Sequence, residues 1–208
     1  MNKNYHNKYI ESINIGLKKT LFFESSKKIN NEEFFKKIKN LLINLRDNNN
    51  KIYFFGNGAS AAFANHMALD FSKNGGILAR SLSDSALLTA LSNDYNYSES
   101  WVEYLKIENV NKDDLIITIS SSGNSSNIVS LLDYCKKNKL KSLSFSGLKS
   151  NNKSIRLSNY SLYVPMKTYG MVECIHQVYL HLLLDDYMNI FEWDRDELQN
   201  MDSENFKL

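Results

Sequence analysis

The chain has 208 residues, 43% hydrophobic and 12% aromatic, enough to fill one sizeable core and too many for wholesale disorder or a staple-dependent mini-protein. Its 25 Lys and Arg nearly cancel 23 Asp and Glu, and no dense basic run with interleaved aromatics occurs, so nucleic acid is not the expected partner. Cys135 and Cys174 lie outside any CxxC pair, the first residues carry no apolar h-region, and no apolar run reaches ~18 residues, so the expectation is a cytoplasmic protein without disulfides or a membrane partner.

Through residue 50 apolar residues recur at helical intervals: Tyr9, Ile13, Leu17, Leu21 and Phe22, then Phe34, Phe35, Ile38, Leu41, Leu42 and Leu45. Two helices joined by the polar segment SSKKINNEE are expected, with Asn30 and Glu33 as cap and first turn of the second. IYFF from Ile52 is a β-branched and aromatic run that stops at Gly56, a buried strand feeding a tight turn. A helix follows from about Ser60 to Lys73, then a short strand near Ile77 to Ala79, and Asp84 caps a helix through Ala86, Leu87 and Leu91. LIITI (115–119) is a second apolar strand, Ser125 to Lys137 an amphipathic helix, and LKSLSF (140–145) and YSLYVP (160–165) two more strands. A long helix from about Met171 to Ile190 and a polar tail with Trp193 close the chain. Strands separated by helical segments of this length imply βαβ crossovers and a mostly parallel sheet covered by helices. The organisation is one domain over residues 1–208: a helical extension at about 4–48, an α/β core at about 51–190 and a polar tail at 191–208.

Two strand ends share a chemical character. GNGAS (56–60) and SSSGNSS (120–126) each follow an apolar strand and precede a helix, the place where parallel sheets collect ligands and helices present free N–H groups. Ser120, Ser121, Ser122 and Ser125 around Gly123 bring hydroxyls and backbone amides to one anion, and a phosphate fits; capping of the next helix by Ser122 or Asn124 explains the same loop equally well. No GxxxxGKS/T run occurs, and GNGASA lacks the last glycine of GxGxxG, so no nucleotide cofactor is expected. His66 and Asp70, four residues apart, share one helix face. In the last helix Glu173, Cys174, His176, Gln177 and His181 interrupt an apolar sequence, and such polar groups are either hydrogen-bonded core residues or site residues.

GNGASAAFANHMALDFSKNGG, LLTALSNDYNY, ITISSSGNSSNI and VECIHQVYLHLLL, in this order, resemble the sugar isomerase (SIS) domain family and within it the phosphoheptose isomerases, which convert sedoheptulose 7-phosphate to D-glycero-D-manno-heptose 7-phosphate. The resemblance spans residues from about 10 to 190. It implies a three-layer αβα sandwich, flavodoxin-like and doubly wound, with N-terminal helices, and a homotetramer with sites between subunits. By resemblance Ser120, Ser121, Ser122 and Ser125 hold the substrate phosphate; Asn57, Gly58, Ala59 and Ser60 border the sugar; Asn93 and Asp94 bind its hydroxyls. Asp70 stands at the family's catalytic glutamate and His181 at its catalytic histidine. Where members bind zinc, one ion per subunit would lie on His66, Asp70, Glu173 and His181; a purely hydrogen-bonded cluster of these four fits the sequence equally. Heptose isomerases feed lipopolysaccharide, capsule or other surface glycan synthesis.

Three departures stand out. Asp70 is one methylene shorter than the family glutamate, Glu173, which the resemblance places among the substrate-binding residues, stands where the family has a glutamine, and Gly170 replaces a sugar-binding aspartate. An aldose–ketose isomerase must move a carbon-bound proton and shuttle oxygen-bound protons through an enediol, work suited to a carboxylate and an imidazole. Asp70 and His181 are that pair by resemblance, with Glu173 the substitute base. The departures also fit a non-catalytic phosphosugar-binding or protein-binding regulator, or an isomerase of a different ketose phosphate.

Overall fold

The computed structural model describes residues 4–194. Chain order is α1 (Tyr5–Lys19), β1 (Leu21–Glu24), β2 (Lys27–Ile29), α2 (Asn31–Asp47), β3 (Ile52–Gly56), α3 (Ala59–Lys73), β4 (Ala79–Ser81), α4 (Ser85–Tyr95) and α5 (Ser100–Ile107). It continues through β5 (Leu115–Ser120), α6 (Ser126–Lys137), β6 (Lys141–Gly147), α7 (Lys153–Leu157), β7 (Tyr160–Val164) and α8 (Tyr169–Met188) to a 3-10 turn, Glu192–Asp194.

The seven strands form one sheet in the order β2-β1-β7-β6-β5-β3-β4. The five strands from β3 onward are parallel and follow the flavodoxin-like order, with the chain reversing direction across the sheet between β3 and β5. Alternate residues of each strand feed two cores, which is why strands buried on both faces read as continuous apolar runs. Ile52, Phe54, Ile117 and Phe145 face α2, α3 and α8, whereas Tyr53, Phe55 and Ile116 pack with Trp101, Leu105, Ile128 and Leu132 from α5 and α6. The three layers are therefore helices, sheet, helices.

The segment 20–30 differs from the expected polar loop between helices. α1 ends at Lys19, and LFFE and KKI form a β-hairpin whose first strand pairs antiparallel with β7, Phe22 opposite Leu162. Leu21 sits at a helical interval from Leu17, yet the Phe22 ring beside it is taken by Phe34, Phe35 and Tyr179, and the edge of β7 supplies the backbone partners. The cap on α2 is as expected: Asn30 Oδ1 accepts the Glu33 N–H at 2.8 Å. Asp84 likewise accepts the Leu87 N–H at 2.8 Å. The strand expected at Ile77–Ala79 lies two residues later as β4, and Ile77 is instead buried against the α2–α3–α8 core. α5 and α7 lie in segments where no element was expected.

β6 carries its serines inward. Ser144 bonds to Ser158 at 2.9 Å and to Ser161 at 3.1 Å, and Ser158 and Ser161 are 2.7 Å apart, so these buried hydroxyls satisfy one another. On the opposite face His176 of α8 is fully buried and its Nε2–H donates to the Ser146 carbonyl at 3.1 Å, with Phe145 edge-on to the ring. Burial disfavours the imidazolium and pushes the His176 pKa down to about 4. The unfolded chain, with an ordinary histidine near pH 6.5, binds this proton first, so the contribution to stability is complete above about pH 6.5 and is lost as pH falls toward 4, on the order of 3 kcal/mol in total. Thermal melts between pH 7 and 4 should show this slope, and His176→Gln, which keeps a donor for Ser146, should remove its share. An unchanged slope in the variant would assign the acid loss elsewhere.

Candidate active site

The candidate residues lie on the turn after β3 that leads into α3, on the serine loop after β5 that leads into α6, and on α3 and α8 themselves. After β3 the chain turns through Asn57 and Gly58, whose φ of +57° suits glycine, and enters α3. α3 buries Ala64, Met67, Ala68 and Phe71 against the sheet, which leaves His66 and Asp70, one turn apart, on its flank toward α8. His66 Nε2 lies 3.2 Å from Asp70 Oδ2. The His66 and His181 rings are 5.3 Å apart and inclined at 63°, and Gln177, one turn before His181 on α8, places its Nε2 2.8 Å from His181 Nε2. One ligand atom from each of His66, Asp70 and His181 lies within 4.8 Å of the others, a three-residue group with the spacing to hold a metal ion. Glu173, two turns before His181, does not belong to that group. The Gln177 Oε1 is buried without a partner.

The serine loop is built by one glycine and a neighbouring turn. Gly123 has φ +60°, and its N–H is held by the Ser120 carbonyl at 3.0 Å and the Ser120 hydroxyl at 3.2 Å. Its carbonyl accepts from both the hydroxyl (2.9 Å) and the N–H (3.1 Å) of Ser154. The buried Asn152 side chain packs against its Cα. The alternative capping role is not what Ser122 and Asn124 do: Ser122 Oγ accepts the Asn124 N–H at 3.2 Å, and Asn124 Oδ1 accepts the Lys153 N–H at 2.9 Å. Ser125 is the N-cap of α6 and makes no side-chain cap bond. Ser125 thus leaves the start of this 12-residue helix without its side-chain cap, although Asn127 Oδ1 takes the Ile128 N–H at 3.0 Å, and in the preceding loop the Ser121 hydroxyl is buried without a partner. That combination offers donors to an anion.

Asn93 and Asp94 lie exposed on the last turn of α4, Asn93 donating to Asp94 Oδ1 at 3.0 Å. Ala59 is exposed and Ser60 buried at the start of α3. Gly170 sits in the first turn of α8, where a Cβ would meet the Tyr9 hydroxyl at 3.6 Å, so α1 borders the space that its missing side chain leaves. Asn127, Tyr97 and Gln177 also brace this region; each lies in a segment that carries the resemblance, but the sequence alone gives none of them this role.

The SIS domain family matches residues 22–147. A phosphoheptose isomerase of Helicobacter pylori is 35% identical over 160 residues, 74% of this chain and 82% of the relative. One from Thermodesulfovibrio yellowstonii is 32% identical over 183 residues, 85% of this chain and 86% of the relative. The solved phosphoheptose isomerase of Neisseria gonorrhoeae shares the fold with a TM-score of 0.74 at 22% identity, over 88% of this chain and 95% of that one.

Proposed function

This chain belongs to the SIS domain family, and we propose that it is a phosphoheptose isomerase, interconverting sedoheptulose 7-phosphate and D-glycero-D-manno-heptose 7-phosphate. The observation that carries the reading is the meeting of Asp70 from α3 with His181 from α8, a carboxylate and an imidazole brought together from sequence positions more than a hundred residues apart. Ser120, Ser121, Ser122 and Ser125, with the first amides of α6, bind the phosphate; the orphaned Ser121 hydroxyl gains the partner it lacks. Asn57, Gly58, Ala59 and Ser60 border the sugar, and Asn93, Asp94 and Glu173 contact its hydroxyls.

Asp70 takes a proton from C1 of the open-chain ketose. The electrons of that C–H bond form the C1–C2 double bond, and the C2 carbonyl oxygen takes a proton from His181, giving the neutral enediol. His181 then recovers a proton from the C1 hydroxyl while Asp70 returns its proton to C2, and both groups regain their starting states. His66, in contact with the Asp70 carboxylate, orients it.

His66, Asp70 and His181 also fit one zinc ion, since two imidazoles and a carboxylate leave an open position of the kind found in catalytic sites. Bound there, zinc would polarise the sugar carbonyl oxygen. Glu173 stands outside this donor set and is assigned to the sugar. Dialysis against a chelator should lower turnover and zinc should restore it; full activity in metal-free protein, verified by elemental analysis, would leave the two acid–base residues to act unaided.

No helix among the described residues is long and apolar enough to cross a membrane. A cytoplasmic single-domain homotetramer with sites between subunits fits the exposed apolar residues Ile10, Ile15, Leu69, Val178 and Leu182. A monodisperse monomer in sedimentation would overturn that assembly. The function itself is tested by turnover of sedoheptulose 7-phosphate beside a panel of other ketose phosphates; tight phosphosugar binding with no turnover on any of them would make the chain a sensor.

A further inference from the structure

We infer that Gln177 is a positioning residue that fixes which ring nitrogen of His181 carries the proton, and that His181 therefore gives and regains its proton through Nδ1. The use of that nitrogen rests on the isomerase reading above; its protonation does not. Gln177 and His181 lie one turn apart on α8 and share a helix face. The Gln177 Nε2 is 2.8 Å from the His181 Nε2. An amide nitrogen donates and does not accept, so the imidazole nitrogen that meets it is the one without a hydrogen. The proton of the neutral ring then sits on Nδ1, because the bond made by one ring nitrogen sets the tautomer of the other.

The rest of the amide agrees with this direction. Gln177 Oε1 is buried without a partner. Turning the amide over would place its carbonyl on His181 and leave two buried N–H donors unmet where one acceptor is unmet now, so the amide is better satisfied as a donor to the ring. Nδ1 of His181 has no hydrogen-bond partner among the described residues, which leaves its N–H for a ligand. The other two helix-borne histidines of this half of the molecule are turned the opposite way. His66 Nε2 lies 3.2 Å from Asp70 Oδ2 and His176 Nε2 3.1 Å from the Ser146 carbonyl, and an oxygen acceptor keeps the proton on Nε2 in both.

The consequence for the reaction is electrostatic. When Nδ1–H passes its proton to the sugar carbonyl oxygen, the electrons of that N–H bond stay on the ring and the negative charge spreads to Nε2. The Gln177 N–H already points at that atom and stabilises the charge as it develops, with no reorganisation. The ring regains a proton at Nδ1 from the C1 hydroxyl, and the starting state returns.

The test is nitrogen NMR of the full chain labelled at its four histidines, treated with a chelator so that no metal sets the tautomer, at about pH 9, above the ordinary histidine value near 6.5. His181→Gln identifies the resonances. In the parent, His181 should show Nδ1–H while His66 and His176 show Nε2–H. Gln177→Glu has nearly the same shape but can only accept, so it should move the His181 proton to Nε2. Its kcat should fall on the order of 10²-fold, the low end for a misplaced acid–base group, while heptitol 7-phosphate, a polyol without the carbonyl, binds within about threefold of the parent. Gln177→Leu offers neither bond and should show both tautomers and a smaller loss in kcat; it carries the test if Gln177→Glu does not melt cooperatively. Zinc content is measured on each variant. Nε2–H on the parent His181, or a spectrum that neither variant changes, would overturn the inference, and a reversed tautomer with parental kcat would remove Nδ1 from the proton transfer. Absent turnover in the parent would defeat the isomerase reading and with it the use of Nδ1, whereas the spectra decide the tautomer in either case.

Discussion

Asp70→Asn should lower kcat by about 10²–10⁴-fold, the range for loss of a positioned acid–base group, while heptitol 7-phosphate binding stays within about threefold of the parent. Asparagine keeps the shape of aspartate, so the packing of α3 and the contact with His66 survive and only the proton acceptor is lost. His181→Ala should fall as far, and the double variant little further, because in the proposed mechanism the two residues hand protons around one enediol and are not independent. The assay is ketose consumption followed by a coupled aldose readout, with zinc content measured on each variant, since Asp70 is also a member of the three-residue metal group. Turnover within tenfold of the parent in Asp70→Asn would remove Asp70 from the chemistry and leave Glu173 as the base to test next.

The second large effect belongs to the serine loop. Gly123→Ala forces a Cβ onto a residue with φ +60° and into the Asn152 side chain, whose 1% exposure leaves it no room to move. The left-handed conformation costs a non-glycine residue about 1–2 kcal/mol, and overpacking adds about 1–3 kcal/mol, so a loss of roughly 2–5 kcal/mol in unfolding free energy is expected. Relief requires Gly123 or the 149–154 turn to shift, and either movement breaks the paired Ser154 bonds that aim the loop. Inorganic phosphate should then bind at least tenfold more weakly, since a backbone cradle is only as good as its geometry. Denaturant melts and phosphate competition against turnover check both halves. A variant with parental phosphate affinity would separate the loop from the anion.

How much of this was legible in the chain differs from element to element. β3, β5 and α6 were, because apolar runs of strand length bounded by glycine and serine and an amphipathic run of helical period admit few other readings. The 21–29 hairpin was not: its apolar residues fall on a helical interval, and the partner that makes LFFE a strand, β7, lies about 140 residues further along the chain. α5 and α7 are short helices of 8 and 5 residues, stabilised by what they pack on more than by their own propensity.

For the site, local spacing determines what is local. A spacing of four between His66 and Asp70 puts them on one face of any helix, and a glycine among serines after a strand makes a loop rich in hydroxyls and backbone amides wherever the strand lies. The resemblance to a family named the long-range partner, His181. Contact across the sheet follows from packing, and packing decided that Glu173 stays apart from the metal group while Gln177 bonds to His181, and that Asn57, Asn127 and Tyr97 close on one another. Periodicity and turn chemistry act within a few residues and are written in the chain itself; which faces then meet depends on how two buried cores are filled together, and that is settled only when the whole sheet and its helices are assembled.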